Sequence, residues 1–224
     1  MEVRFLGHAC FELADGDATV LIDPFLSGNP KAAISAEDAA ATTILLTHGH
    51  GDHIGDTVAI AKRTGAPVVA IVEIANELRD EGVDVRDPNM GGTVRFDWGW
   101  VKLVPAWHTS TTPKGTANVP AGLLISFQDS IVYHLGDTCV FSDLQLVGKH
   151  NPIDIALMCI GGHYTMDRVD AVDAAELIGA KTVIPCHYNT FPPIETDAQA
   201  FKSDVESATR SNVAVLDPGQ SHSA

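Results

Sequence analysis

The chain has 224 residues, of which 45% are hydrophobic and 19% charged, and 29 acidic against 14 basic side chains give a formal net charge of −15. This is the composition of a globular protein with a sizeable core, which excludes disordered and fibrous classes, and the acidic balance repels a phosphate backbone, so nucleic acid is not an expected partner. No apolar stretch approaches the roughly 20 residues of a membrane helix, and the strand-like opening Met1-Glu2-Val3-Arg4-Phe5 does not read as a signal peptide. A soluble, cytoplasmic, single domain over 1–224 acting on a small molecule is the expectation, with oligomeric state left open.

Strands are predicted at 2–6, 10–13 and 19–23, the last two joined by a hairpin turn at Asp15-Gly16. A Pro- and Gly-containing loop at 24–36 leads to an apolar strand at 43–46, and further on Val58-Ala59-Ile60-Ala61 carries a helix ended by Gly65. A short strand at 67–71, a helix over Ile74 to Leu78 stopping near Gly82, and a hairpin of 93–97 with 100–106 about Trp98-Gly99 complete a first half that ends at His108. The second half repeats the style, with strands at 122–127, 131–135, 154–159, 182–185 and 213–216. Helical spacing covers 141–148, 167–178 and 197–208, with Asp167 and Asp197 as N-caps. Strands lead and helices follow in each half, which points to an α/β chain folded as a four-layer αββα sandwich of two mixed β-sheets flanked by helices. Cys10, Cys139, Cys159 and Cys186 are widely spaced with no C-x-x-C pair, and read as reduced, mostly buried thiols.

The stretch Thr47-His48-Gly49-His50-Gly51-Asp52-His53 follows the strand at 43–46 and brings three imidazoles and a carboxylate together. Those groups suit zinc, iron, manganese or nickel, and Gly49 and Gly51 let the chain turn so that His48, His50, Asp52 and His53 converge. A His-rich surface loop would lack both the buried strand and the fixed carboxylate. Three further strand ends carry matching residue types: Trp107-His108, Cys186-His187 and Gly136-Asp137-Thr138. Singly, each reads as an exposed loop residue or a cap; repeated three times, the pattern points to a second metal, with Asp137 able to bridge two cations.

With these residues the chain resembles the metallo-β-lactamase superfamily, whose motif runs H-x-H-x-D-H, then a lone His, an Asp and a final His. The resemblance spans residues 1–216 and fills all seven ligand positions. It implies one metal on His48, His50 and His108, another on Asp52, His53 and His187, and Asp137 shared. Leu6-Gly7-His8-Ala9-Cys10, Gly136-Asp137-Thr138 and Gly161-Gly162-His163-Tyr164-Thr165-Met166 resemble a branch of small metal-dependent hydrolases similar to ascorbate-6-phosphate lactonases.

Two divalent cations, zinc foremost with manganese, nickel or iron as alternatives, keep a charge of about +2 after the two carboxylates and favour a hydroxide near neutral pH. The expected reaction is hydrolysis by that hydroxide, and the branch resemblance implies a small-molecule ester or lactone as its substrate. Asp52 doubles as acceptor of the nucleophile's hydrogen bond, and His163 is the first choice for oxyanion stabiliser or leaving-group acid, with Tyr164 assisting. His8, following the first strand, faces the same rim or is a satisfied structural histidine. His134 reads as a core or supporting residue, Asp23 as a turn residue or a support to a ligand imidazole, and His150 and His222 as surface residues. The polar segment 109–118 is a mouth loop or a solvated connection, with Lys114 available to an anionic substrate. The alternatives are a phosphodiesterase or phosphoesterase on the same site, a di-iron oxidoreductase, which by resemblance has glutamate where this chain has His50, and a non-catalytic metal-binding scaffold.

Overall fold

β1 (Glu2–Gly7) and β2 (Cys10–Asp15) pair antiparallel, and a two-residue turn at Gly16-Asp17 returns β3 (Ala18–Ile22) along β2, with Asp15 opposite Ala18. Gly16 has φ 55°, the left-handed conformation such hairpins require. The chain then crosses over to β4 (Thr43–Leu45), parallel to β3, and continues through α1 (Gly51–Ile54) and α2 (Thr57–Thr64) to β5 (Val68–Val69). α3 (Val72–Asp80) and β6 (Val85–Arg86) complete this run. The second sheet opens with the antiparallel strands β7 (Thr93–Phe96), β8 (Gly99–Pro105), β9 (Ala121–Phe127) and β10 (Ser130–His134). After α4 (Leu144–Val147), the strands β11 (Ile155–Cys159) and β12 (Thr182–Cys186) join it in parallel, with α5 (Arg168–Ile178) between them. α6 (Ala198–Ala208) leads to β13 (Asn212–Val213), and β14 (Ser221–Ser223) returns to pair with β1. The computed structural model describes residues 1–223.

The sheet orders are β14-β1-β2-β3-β4-β5-β6 and β13-β12-β11-β10-β9-β8-β7, each antiparallel at one end and parallel at the other. Period-two alternation divides the second sheet between two packing layers. Val132, Ile155, Leu157 and Ile184 pack with Phe11, Leu13 and Ile22 of the first sheet. Their neighbours Tyr133, Ala156, Met158 and Val183 pack beneath Ala171, Ala174, Phe201 and Val205 of α5 and α6. Ile60, Ile74 and Leu78 of α2 and α3 are likewise buried. The αββα sandwich of two mixed sheets expected from the sequence is the observed fold.

Several local expectations are corrected. The division between sheets falls between β6 and β7, not at His108, because the 93–105 hairpin pairs with β9 and the C-terminal β14 returns to the first sheet. The strand expected at 67–71 pairs only over Val68–Val69, that at 213–216 only over Asn212–Val213, and the helix expected at 141–148 spans Leu144–Val147. Asp167 and Asp197 do cap α5 and α6, each side chain accepting from the backbone N–H groups two and three residues on. Cys10, Cys159 and Cys186 are buried, Cys139 is exposed, and all four are free thiols. Among the described residues no helix is long and apolar enough to cross a membrane.

Candidate metal centre

The chemistry gathers where strands of both sheets end at their carboxyl ends, the usual place for a ligand in open α/β sheets. Beyond the end of β3 comes Asp23, beyond β4 Thr47-His48, beyond β10 Gly136-Asp137 and beyond β12 His187. Asp23 is fully buried at φ 46° and accepts from Thr47 N (2.9 Å), Thr47 Oγ1 (2.6 Å) and His53 Nδ1 (2.7 Å). With the threonine proton on Asp23, Thr47 Oγ1 accepts from His48 Nδ1 at 3.0 Å. One carboxylate thus fixes the tautomers of His48 and His53, leaving both Nε2 lone pairs turned inward. Of the even alternatives for Asp23, the support to a ligand imidazole is the one its contacts match.

Two groups of ligand-type atoms result, each within 4.8 Å of one another: His48, His50, His108 and Asp137, and His8, Asp52, His53 and His187. Asp137 lies between them. Its Oδ2 is 3.8 Å from His48 Nε2, 3.6 Å from His108 Nε2 and 3.2 Å from His187 Nε2, while Oδ1 is 3.3 Å from His53 Nε2. His48 Nε2 and His50 Nδ1 stand 3.0 Å apart, and His187 Nε2 is 3.8 Å from Asp52 Oδ2. His53 Nε2, His187 Nε2 and Asp137 Oδ1 are buried without a hydrogen-bond partner among the described residues. Three inward-facing orphan atoms of imidazole and carboxylate type are costly unless something meets them, and divalent cations are what such a donor set accepts.

The electrostatics agree with that fit. Burial lowers the pKa of His48, His50 and His108, so they keep neutral lone pairs below the ordinary histidine range. Burial opposes ionisation of Asp137, but His187 and His53 outweigh it and hold the carboxyl well below its usual value. Burial likewise opposes ionisation of Asp52, but the hydrogen bond from His8 together with the charges of His53, His8 and His187 outweighs it and shifts the carboxyl down. For His53, burial is overcome by Asp137 and Asp23, which raise its pKa well above the ordinary value.

Above the two groups opens a cavity of about 410 Å³ lined by His50, Asp52, His108, Thr109, Asp137, Tyr164, His187, Phe191 and Pro193. Tyr164 is therefore on the cavity side. His163, at φ 54° in the preceding turn position, is exposed, stacks edge-on against Tyr164 at 4.5 Å and is not among the lining residues. His8 is buried behind the ligands and does not line this cavity either. His134 spans the sheets, donating from Nε2 to Ala9 O and accepting Gly136 N–H at Nδ1, both at 3.0 Å, which steadies the chain before Asp137.

Only Thr109 of the 109–118 segment lines the cavity; the rest buttresses it. Ser110 Oγ accepts from Gly49 N at 2.9 Å, and Thr112 Oγ1 donates to Glu77 Oε2 of α3 at 2.6 Å. A Cβ on Gly49 would meet Asn118 Nδ2 at 2.6 Å and Thr112 Cγ2 at 2.8 Å, so the glycine lets these side chains approach, and neither Gly49 nor Gly51 sits at a positive φ. Lys114 is paired with Glu81 and does not reach the cavity. Phe191 and Pro193 were not singled out from the sequence, and Thr190, which holds His8, carries no motif at all.

The family described as "Beta-lactamase superfamily domain" matches residues 2–187. A metal-dependent hydrolase of Thermus thermophilus is 48% identical over 202 residues, covering 90% of this chain and 89% of its own. Another, of Pelotomaculum thermopropionicum, is 45% identical over 226 residues, covering 99% of each. The solved structure of a metallo hydrolase from the hyperthermophilic archaeon Ignicoccus hospitalis superposes with a TM-score of 0.90 at 36% identity, covering 99% of this chain and 97% of that one. The chain belongs to the beta-lactamase superfamily and, within it, to the UPF0173 metal-dependent hydrolases.

Proposed function

We propose that the protein hydrolyses small, uncharged carboxylic esters or lactones at a dinuclear metal centre. One observation carries this choice of substrate: the cavity floor consists of ligand groups, its walls of Tyr164, Phe191, Pro193 and Thr109, and no lysine or arginine among the described residues lines it. A substrate with an ionised phosphate away from the reacting bond would meet no guanidinium or ammonium there. That favours an ester or lactone over the phosphodiester and phosphoester alternatives.

In this reading His48, His50 and His108 hold one cation, Asp52, His53 and His187 the other, and Asp137 serves both. When bound, two divalent cations, of which zinc suits this donor set best, supply Lewis acidity toward a carbonyl oxygen and bring the pKa of coordinated water to about 7. Asp23 keeps His48 and His53 in the tautomers that ligation needs. Asp52, held through Oδ2 by His8, supplies the carboxylate of the second group. Tyr164 is the phenol of the lining and takes the donor role toward the oxyanion or the departing oxygen, in place of His163. Phe191 and Pro193 supply apolar contact area for the acyl or alcohol part.

The di-iron oxidoreductase reading is disfavoured by the imidazole of His50 standing at the mouth, where the resemblance would require glutamate. A scaffold without activity has no use for an open cavity over a complete ligand set. The test is a screen of the metal-loaded protein with aryl acetates and aromatic lactones against bis-aryl phosphodiesters of matched leaving group. Turnover of the first set, abolished by chelation and restored by zinc, supports the reading; turnover confined to phosphodiesters overturns it.

A further inference from the structure

We propose that His8 is a positioning residue for the second metal site, holding Asp52 through its side chain and His187 through its backbone. The inference rests on the dinuclear reading above and adds to it a residue outside the seven-ligand motif.

His8 follows β1, where the pairing with β2 shifts register between Phe5 and Gly7, and it sits at φ 60° with 1% of its surface exposed. A non-glycine residue held in the left-handed region while fully buried is strained unless its surroundings fix it there. The fixing contacts are specific. His8 O accepts from His187 N at 2.7 Å, and the two rings lie 4.1 Å apart. Phe25 and Phe191 stand edge-on at 5.8 and 5.4 Å, so the imidazole cannot swing away.

The ring's hydrogen bonds assign its tautomer. Nδ1 is 2.9 Å from Thr190 Oγ1, whose other available acceptor, Tyr188 O, is 3.4 Å away. The hydroxyl proton goes to the shorter partner, so Thr190 donates to Nδ1 and the imidazole proton sits on Nε2. Nε2–H then donates to Asp52 Oδ2 at 3.0 Å. A lone pair at Nε2 would instead face the carboxylate and repel it. His8 thus holds Asp52, which follows β4, and His187, which follows β12, and so ties ligands of the two sheets to one another. It touches the substrate cavity nowhere; its outer side lines a separate cavity of about 140 Å³ with Lys31, Tyr188 and Asp217.

The rival role is direct ligation, since His8 Nε2 belongs to the same 4.8 Å group as Asp52, His53 and His187. Cobalt(II) titration of the metal-free protein separates the two. In the wild type two cobalt ions are expected to bind per chain. His8→Ala is expected to weaken the Asp52 site about 10- to 100-fold while leaving the His48-His50-His108 site unchanged. His8→Gln, whose amide N–H reaches the Nε2 position, is expected to restore most of that affinity with the visible cobalt spectrum of the loaded protein unaltered. Thr190→Val, which keeps the shape and removes the hydroxyl, is expected to weaken the same site by a smaller factor and supplies the reading if His8→Ala does not fold. Unchanged cobalt affinity in His8→Ala, or in Thr190→Val where it is the reporter, overturns the proposal, as does a His8→Gln spectrum showing a changed ligand field. A wild type that binds only one cobalt ion removes the dinuclear reading itself, whereas two ions with an indifferent His8→Ala removes this inference alone.

Discussion

His53 donates its Nδ1–H to Asp23 across 2.7 Å with both side chains fully buried, and this pair aims His53 Nε2 at Asp137. Asp23→Asn keeps the backbone, because asparagine also tolerates the φ of 46°, while it removes the charge and turns one of the two acceptors into a donor. Metal affinity at the site containing His53 is expected to fall about 10- to 100-fold. Asp23→Ala, which also strips Thr47 of its partner, is expected to destabilise the fold by about 3 kcal/mol. Metal titration and chemical denaturation of the two variants check both numbers.

The raised pKa of His53 has a pH consequence. A histidine whose folded value lies above the unfolded one contributes stability that is fully present below about 6.5 and is lost as pH rises through the folded value. In the cation-free protein His53 therefore holds a proton more tightly than a free imidazole does. Ligation needs that lone pair, so metal binding releases the proton and affinity rises with pH. Calorimetry at pH 7 in buffers of different ionisation enthalpy is expected to show this release, and less of it in Asp23→Asn. Equal proton release in the two proteins would contradict the assignment.

Tyr164→Phe removes the phenol from the cavity wall without touching a ligand. On an aryl ester, kcat is expected to fall roughly 10²-fold with KM little changed, and metal content to stay at the wild-type value. A variant as fast as the wild type would leave the donor role without an occupant.

The N-cap of α6 is a control remote from this chemistry. Asp197 accepts from Gln199 N and Ala200 N at 2.9 and 3.0 Å. Asp197→Ala is expected to cost about 1 kcal/mol of stability, seen as a lower denaturation midpoint, with turnover and metal content unaffected.

The candidate ligands were legible because they follow apolar strands within a few residues, where the chain leaves the sheet and its side chains can converge. His108, Asp137 and His187 share that signal with the His48 cluster. Short elements were not legible. α1 spans four residues and β14 is Ser-His-Ser, so neither carries a hydrophobic period; β14 is held by pairing to β1 and by the bond from Phe5 N to Gln220 O. Which of His163 and Tyr164 lines the cavity is not legible from the sequence either: both are exposed, and only Tyr164 is in the lining. From the sequence Lys114 is available to an anionic substrate because its segment follows His108, yet Glu81, beyond α3, is its partner. That contact is made across sequence and leaves no local pattern. Thr190 is found only once His8 has a position in space.

Metal content of the purified protein against two single substitutions tests the dinuclear centre most directly. By elemental analysis after dialysis, the wild type is expected to hold two divalent cations per chain. His50→Ala and Asp137→Ala are expected to remain folded, to hold fewer cations and to lose turnover of every ester or lactone the wild type hydrolyses. A wild type with one cation or none at full activity, or unimpaired turnover in both variants, would contradict a centre in which Asp137 joins two metals.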